Sequence, residues 1–243
     1  MWSINKSLLK IILDLFLVIP FISILFTVLI VSQELENGIV SGKDFWFIFV
    51  MGLVSLVSFG LIINRRIINQ FTILDGIIFM FGIISILFSL FFHKSELFTK
   101  QFLLLLVIIL YFYFRLILQE KKAFCALTIC FILTGLIEAI WGLRQLYGFE
   151  KSQHYLFKLT GSFFNPGPYA CYLAVVFPMA LFYALRYSVC YKVKFHFRNV
   201  MVYLLWGISI LTVITSIIVL PSSMSRTAWM SVVCGCGIVL FYF

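Results

Sequence analysis

The stretch Val200–Leu220, VMVYLLWGISILTVITSIIVL, contains no charged side chain over its whole length. An α-helix needs about 20 mostly apolar residues to cross the hydrocarbon core of a bilayer. Because lipid offers the backbone no hydrogen-bond partner, a segment that crosses it alone must be helical. The stretch therefore predicts a membrane-spanning helix, and similar runs follow one another along the chain.

The composition agrees with a membrane protein. Of the 243 residues, 63% are hydrophobic and 11% are charged, whereas soluble domains carry about 25% charged residues. A water-soluble fold of this length must cover much of its surface with polar groups, and the chain has too few of them. We therefore predict an all-α fold, a polytopic bundle of transmembrane helices.

Eight apolar runs are long enough to be spanning helices. The first run is too long for the core of a cleaved signal peptide, so we expect a retained signal anchor. One outer loop is predicted at 144–168, and no soluble domain interrupts the series. The eight runs are 11–31, 45–63, 71–92, 102–118, 123–143, 169–187, 200–220 and 227–243.

Lysine and arginine residues fall into two sets of loops, and the richer set marks the cytoplasmic side. Eleven of the 18 lie in one set and seven in the other, so the N-terminus is predicted to be cytoplasmic. This bias explains the formal charge of +9, and we expect no nucleic-acid binding. The richer set is Lys6, Lys10, Arg65, Arg66, Arg115, Lys121, Lys122, Arg186, Lys192, Lys194 and Arg198, and the poorer set is Lys43, Lys94, Lys100, Arg144, Lys151, Lys158 and Arg226.

Signatures of several enzyme classes are missing. The chain has no Walker loop, dinucleotide fingerprint or metal-ligand motif, so we expect no metal and no cofactor. All cysteines but Cys190 lie in apolar runs, where buried free thiols are the expected state. Any chemistry is therefore expected at the outer membrane face.

A first polar segment on the predicted outer face is Lys158–Tyr169, KLTGSFFNPGPY. Asn165 or Ser162 suits a helix cap, and Pro168 suits a first helical turn. Unpaired backbone N–H groups at a helix N-terminus bind phosphate well. A tight turn before a membrane helix explains the same residues, so both interpretations remain open.

A second polar segment is Leu220–Trp229, LPSSMSRTAW, in which Pro221 is expected to end one helix before another begins. Arg226 enters that next, apolar helix from its outer end. An arginine at membrane depth is costly unless it is paired or hydrated, and a guanidinium binds phosphate oxygens in a bidentate manner. Snorkelling of Arg226 to lipid headgroups is the alternative.

Other polar residues give weaker signals. Glu138 and Arg144 are six positions apart and do not share a helix face, whereas Glu138 and Gln145 do. Glu138 is expected to face a hydrated cavity or to make a structural hydrogen bond. His154 is expected to be a solvated loop residue, and Lys158 to attract an anionic lipid headgroup or to lie near the membrane surface.

Two acidic residues, Asp14 and Asp75, lie near predicted cytoplasmic helix ends. We expect both carboxylates to reach the membrane interface, where water and headgroups solvate them.

The two outer segments together resemble the O-antigen ligase and O-antigen polymerase superfamily of bacterial inner membranes. The resemblance is carried by GSFFNPGPYACYL at Gly161–Leu173 and SRTAW at Ser225–Trp229, and it covers about residues 130–235. In that family a Gly-Ser/Thr-Phe-x-Asn-Pro-Asn-like turn opens one helix and a Ser-Arg-Gly/Thr-Ala-like motif opens a later one. Gly167 departs from the Asn that is common after Asn-Pro.

The resemblance implies a metal-independent glycosyltransferase of the inner membrane that acts in lipopolysaccharide biosynthesis. Its donor would be a glycan on undecaprenyl diphosphate at the periplasmic face, and its acceptor lipid A-core, another carried repeat or a protein. Arg226 and Ser225 would contact the diphosphate, and Ser162 and Asn165 would shape the same pocket. Weaker candidates are Arg144, Lys158, Glu138 and His154.

In the family, a catalytic histidine and a further arginine lie on a large periplasmic loop beyond the Ser-Arg motif. The sequence lacks that loop, so we expect a C-terminally truncated member whose catalytic residues are unknown. The alternatives are a multi-pass transporter or a flippase of lipid-linked oligosaccharide, and an inactive membrane remnant. The chain shows no inverted repeat of the kind transporters often carry, which favours the transferase.

We predict that the purified 243-residue chain alone does not transfer glycan, because the expected catalytic loop is missing. The measurement is product formation from a polyprenyl-diphosphate glycan donor and an acceptor glycolipid. Measurable transfer by the purified chain would contradict this expectation.

Overall fold

The structure is a computed structural model that describes residues 18–32, 38–65, 72–92, 95–118, 121–190 and 200–243. These residues form helices and connecting turns, with no strand among them, which confirms the all-α fold. Helical residues Val18–Leu29 end in a 3-10 turn at Phe26–Leu29. The helices that follow are α1 (Gly38–Arg65), α2 (Ile73–Phe92), α3 (Ser95–Ile117), α4 (Lys121–Leu146), α5 (Pro166–Cys190), α6 (Val200–Ser222) and α7 (Arg226–Tyr242).

Among the described residues, five helical segments are long and apolar enough to cross a membrane, and three further apolar helices are shorter. These spans support a multi-pass membrane protein, while the count of eight stays a prediction. Part of the first predicted run, 11–17, and the N-terminal residues that orient the chain lie outside the described residues. The five spans are Gly38–Phe59, Lys100–Ile117, Ala123–Leu146, Pro166–Arg186 and Val202–Ser222.

Several helices extend beyond the apolar runs that predicted them. Helix α1 begins at Gly38 rather than at 45, and α3 begins at Ser95 rather than at 102. Helix α4 continues to Leu146 and α5 begins at Pro166, so the predicted outer loop 144–168 shortens to 147–165. Backbone hydrogen bonding continues into polar flanking residues, whereas an apolar run ends at the first of them.

The chain divides into two compact units, one within residues 1–27 and 44–127 and the other within 28–43 and 128–243. In the first unit, Asp75 lies in the first turn of α2. Its carboxylate accepts hydrogen bonds from the Thr72 N–H at 2.7 Å and the Tyr111 hydroxyl at 2.9 Å, and it forms an ion pair with Arg115.

The Asp75 side chain is completely buried, so the expectation that water and headgroups solvate it is wrong. The reason is that Arg115, near the end of α3, pairs with the carboxylate inside the unit, while the position of Asp75 relative to the membrane interface stays a prediction. Asp14, for which we expected the same, lies outside the described residues.

In the second unit, α5 packs against both α6 and α7. A Cβ atom added to Gly235 would lie 2.5 Å from Cγ of Pro178, so the glycine permits close approach of α7 to α5. Buried side chains from these helices and α4 form the core of the unit. They include Ala139, Tyr169, Leu173, Ala174, Val219 and Ala228.

The orientation of the chain is testable by cysteine labelling, because the predicted outer and cytoplasmic loops differ in accessibility. In a variant whose native cysteines are replaced, we expect Ser152→Cys to react with a membrane-impermeant maleimide in intact cells. Lys192→Cys should react only after permeabilisation. The reverse pattern would contradict a cytoplasmic N-terminus.

Candidate functional site

The segment Lys158–Tyr169 is held against α4 by Gln145, which is almost fully buried. The Gln145 side-chain oxygen accepts hydrogen bonds from the N–H groups of Thr160 at 2.9 Å and Gly161 at 2.7 Å. Its Nε2 atom donates to the Gly161 carbonyl at 3.0 Å. One amide side chain thereby satisfies three buried backbone groups that water would otherwise have to solvate.

Gly161 lies where only a glycine fits. Its φ of +57° falls in the left-handed region. An added Cβ atom would also lie 2.5 Å from Oε2 of Glu138 and would collide with the Tyr169 ring. Tyr169 in turn donates its hydroxyl to the Glu138 carbonyl at 3.1 Å. The close fit of this ring fixes the first turn of α5 against α4.

Glu138 lies on the same face of α4 as Gln145, as predicted, and reaches the same turn. Its side chain is fully buried, and Oε2 accepts a hydrogen bond from the Ser162 N–H at 3.1 Å. The other carboxylate oxygen, Oε1, has no hydrogen-bond partner among the described residues. Of the two interpretations of Glu138, the structure therefore supports the structural hydrogen bond.

Lys43, in the second turn of α1, contacts Ser162 from the other side. Its ammonium group donates to the Ser162 hydroxyl at 2.9 Å, to the Ser162 carbonyl at 3.0 Å and to the Val28 carbonyl. It also lies 4.1 Å from the centre of the Phe163 ring, within the range of a cation–π interaction. We call Lys43, Ser162 and Glu138 the Ser162 clasp.

Sequence reasoning missed Lys43, which it counted only as one of the outer-loop cations. In the sequence Lys43 lies in the polar flank before the apolar run 45–63, and only the earlier start of α1 places it inside the helix. Its partner Ser162 is 119 positions away in sequence, so no local pattern could have named the contact.

Ser162 is buried, and its N–H, carbonyl and hydroxyl groups all bind within the clasp. Its hydroxyl also donates to the Val28 carbonyl at 2.6 Å. Its expected part in a substrate pocket is therefore indirect. Asn165, the residue before α5, is exposed.

The two outer segments meet at a cavity of about 480 Å³. The first segment contributes Lys158, Leu159, Pro166 and Gly167 to its lining, and the second contributes Ser222, Ser223, Met224 and Ser225. The structure thus brings together the two motifs that carry the family resemblance. We call this space the motif cavity.

Two helix N-termini open at the motif cavity. Helix α5 begins at Pro166, and α7 begins at Arg226 with Ser225 as its N-cap residue. The Ser225 side chain makes no capping hydrogen bond to the helix. Pro166 and Pro168 have no N–H group, so Gly167 is the one donor among the first three residues of α5. The first-turn N–H groups of α7 are not reduced in this way, and the dipoles of both helices add positive potential at the cavity.

Of the two nearby cations, Lys158 lines the cavity and Arg226 does not. Lys158 is exposed and lines the motif cavity. Arg226 follows the cavity residue Ser225 directly and is exposed, and no carboxylate of the described residues pairs with it. The preceding turn is tied down by Ser223 and Trp229, whose side chains both donate to the Leu220 carbonyl. Helix α6 continues to Ser222 rather than ending at Pro221.

The remaining candidates lie on the loop side of the site. Arg144 pairs with Glu150 at 3.6 Å and not with Glu138, in line with the helix-face argument. His154 is half-buried, and its ring centre lies within 5 Å of those of Tyr155, Phe157 and Phe164. The expectation of a simply solvated histidine is wrong, because three aromatic rings pack around it.

Comparison of the chain with protein-family models, curated proteins and solved structures found no match. The described residues also contain no group of three or more His, Cys, Asp or Glu side chains that could hold a metal ion. The chemistry of the site therefore has to be argued from its own residues.

We predict that Lys43→Met lowers the stability of the protein by about 1–3 kcal/mol, because the Ser162 carbonyl and hydroxyl and the Val28 carbonyl lose the ammonium group that donates to them. The measurement is thermal unfolding of the detergent-solubilised protein. Lys100→Met, at an exposed lysine, is the control, and equal unfolding temperatures for the Lys43 and Lys100 variants would contradict the prediction.

Proposed function

We propose that this protein binds a polyprenyl-diphosphate-linked glycan at the outer face of a bacterial inner membrane. We further propose that it takes part in glycan transfer of the O-antigen ligase or polymerase type, in which lipid A-core or another glycan is the acceptor. The observation that carries the proposal is that the two motif segments, far apart in sequence, line one cavity at which two helices begin.

The charges around the motif cavity suit a diphosphate. Transfer of a glycan from the carrier breaks the bond between the sugar and the diphosphate, so negative charge grows on the diphosphate oxygens. Fixed dipoles and cations aimed at that charge stabilise the transition state. Here the Gly167 N–H, the N-terminus of α7 and Lys158 are the groups at the cavity that would do so. Arg226, the residue after the cavity residue Ser225, would have to reach the diphosphate from outside the lining.

A neighbouring groove suits the lipid part of such a donor. It has a volume of about 250 Å³ and an almost wholly apolar lining. Leu220 and Pro221 belong to that lining, and the next residues along the chain, Ser222–Ser225, line the motif cavity. An isoprenoid chain in the groove would place its diphosphate beside the helix N-termini. This arrangement favours an amphiphilic substrate over a soluble anion. The other lining residues are Phe177, Ile217, Trp229, Val232 and Val233.

The described residues supply binding groups for the donor but do not assign a base for the acceptor hydroxyl. Glu138 is unsuited to that role, because it is fully buried and already accepts the Ser162 N–H. His154 is held by its aromatic neighbours, and its Nδ1 atom accepts the Leu156 N–H at 3.1 Å. We therefore name no catalytic residue.

We predict that Arg226→Ala weakens binding of farnesyl diphosphate by about tenfold, because one charge-assisted contact to phosphate is lost. The measurement is titration of the purified protein in lipid nanodiscs. Arg186→Ala is the matched control, since Arg186 lies near the other end of α5. Unchanged binding by the Arg226 variant, or an equal loss in both variants, would contradict the diphosphate role.

In cells whose surface glycan depends on a longer product that contains this sequence and the expected catalytic loop, Arg226→Ala should abolish glycan display while the amount of membrane-inserted protein stays unchanged. The measurements are gel analysis of surface glycan and immunoblotting of the membrane fraction. Wild-type display would argue against the role of Arg226. Movement of the lipid-linked glycan across reconstituted vesicles without transfer would instead support a flippase.

A further inference from the structure

A group of aromatic side chains projects from the loop between α4 and α5. The His154 and Tyr155 rings are stacked, with centres 4.8 Å apart and planes inclined by 17°. The Phe157 ring lies 4.9 Å from the His154 ring. Tyr155 is 89% exposed, so its outer face is free for a ligand. We call His154, Tyr155 and Phe157 the aromatic platform.

The aromatic platform forms one wall of an open cavity of about 690 Å³. Polar and charged groups also line this cavity, among them Glu150, Lys151 and Ser152. The stacked rings are held in place locally, because the Ser152 hydroxyl donates to the His154 carbonyl at 2.6 Å. We call this space the loop cavity.

The loop cavity adjoins the motif cavity. Both are lined by Leu146, Phe157 and Lys158. A group attached to a diphosphate in the motif cavity would therefore enter the loop cavity past the Lys158 side chain. The aromatic platform lies where the first sugar of a lipid-linked glycan would emerge.

The chemistry of the loop cavity matches a pyranose ring. One face of such a ring presents C–H bonds with a weak positive charge, and the face of an aromatic ring carries negative charge. The hydroxyl groups at the edge of the sugar need hydrogen-bond donors and acceptors, which Lys151 and Glu150 provide. Specific pockets commonly combine apolar contact area with a few polar groups in this way.

We propose that the loop cavity is a saccharide subsite in which the aromatic platform stacks on a pyranose and Glu150 and Lys151 bind its hydroxyl groups. The assignment of this sugar to the lipid-linked donor rests on the function proposed above. Contact with a free monosaccharide does not require the diphosphate site.

An interfacial membrane anchor is the competing use of exposed loop aromatics. Phe149, on the same loop, distinguishes a membrane anchor from a saccharide subsite. It is 79% exposed on the same loop but does not line the loop cavity. A membrane anchor would use Phe149 as much as Tyr155, whereas a saccharide subsite would use only Tyr155.

The test is saturation-transfer NMR of the full chain in nanodiscs with methyl glucoside, methyl galactoside, methyl rhamnoside and N-acetylglucosamine. We expect transfer to at least one of these sugars. Tyr155→Ala should weaken that sugar's binding by about three- to tenfold, the contribution of one aromatic stack. Tyr155→Phe, which keeps the ring, should retain binding, and Phe149→Ala is the matched control.

Absence of transfer to all four sugars would overturn the proposal, and so would equal losses in Phe149→Ala and Tyr155→Ala. A fluorophore attached to the loop reports whether the loop lies on the bilayer surface. If Phe149→Ala and Tyr155→Ala release this fluorophore from the bilayer to the same extent and both lose sugar binding, the loop is a membrane anchor and the proposal is overturned. Retained sugar binding in Arg226→Ala would support a subsite that stands apart from the diphosphate contact. Absence of farnesyl diphosphate binding would therefore count against the proposed function and not against the saccharide subsite.

Discussion

The turn that precedes α5 in the second unit depends on the Ser162 clasp, in which Lys43 and Glu138 bind the same residue from two sides. A turn beside membrane-spanning helices cannot leave its backbone polar groups to hydrocarbon. Side chains on the helices replace water: Gln145 binds Thr160 and Gly161, and the clasp binds Ser162. Once these positions are fixed, the chain can begin α5 at Pro166 in one place only. The contacts of Gln145 and the clasp therefore fix the α5 side of the motif cavity.

The clasp brings a fully buried Glu138 and a half-buried Lys43 to the same residue, and desolvation opposes the charge on each of them. Lys43 directs its donors to three oxygens, but Oε1 of Glu138 has no partner among the described residues. An apolar pair of similar volume would avoid that cost. It could not, however, hold the N–H, carbonyl and hydroxyl groups of Ser162 in a fixed arrangement. We infer that the clasp serves the geometry of the turn more than the stability of the unit.

The sequence predicted the features that depend on neighbouring residues and missed those that depend on contacts between residues far apart in the chain. Apolar runs such as 200–220 are local, so they predicted the helices, although helix ends moved wherever hydrogen bonding continued past the run. The shared face of Glu138 and Gln145 is also local, because helix periodicity fixes it. Lys43 and Asp75 were misjudged because their partners are distant, Ser162 by 119 positions and Arg115 by 40. The solvation of His154 was misjudged because the loop places three aromatic rings around its side chain.

The order of the surfaces in the second unit suggests how a donor would be oriented. Pro221 lines the apolar groove, the next residue Ser222 lines the motif cavity, and Lys158 lines both the motif cavity and the loop cavity. An amphiphile that enters from lipid would meet apolar, then positive, then aromatic and polar surroundings. Only one direction of binding matches all three, because a reversed molecule would put its charged diphosphate or its sugar against an apolar lining. For such an amphiphile, no single strong contact would be needed to select one orientation. Each group that binds in the wrong surroundings would add a desolvation cost of its own.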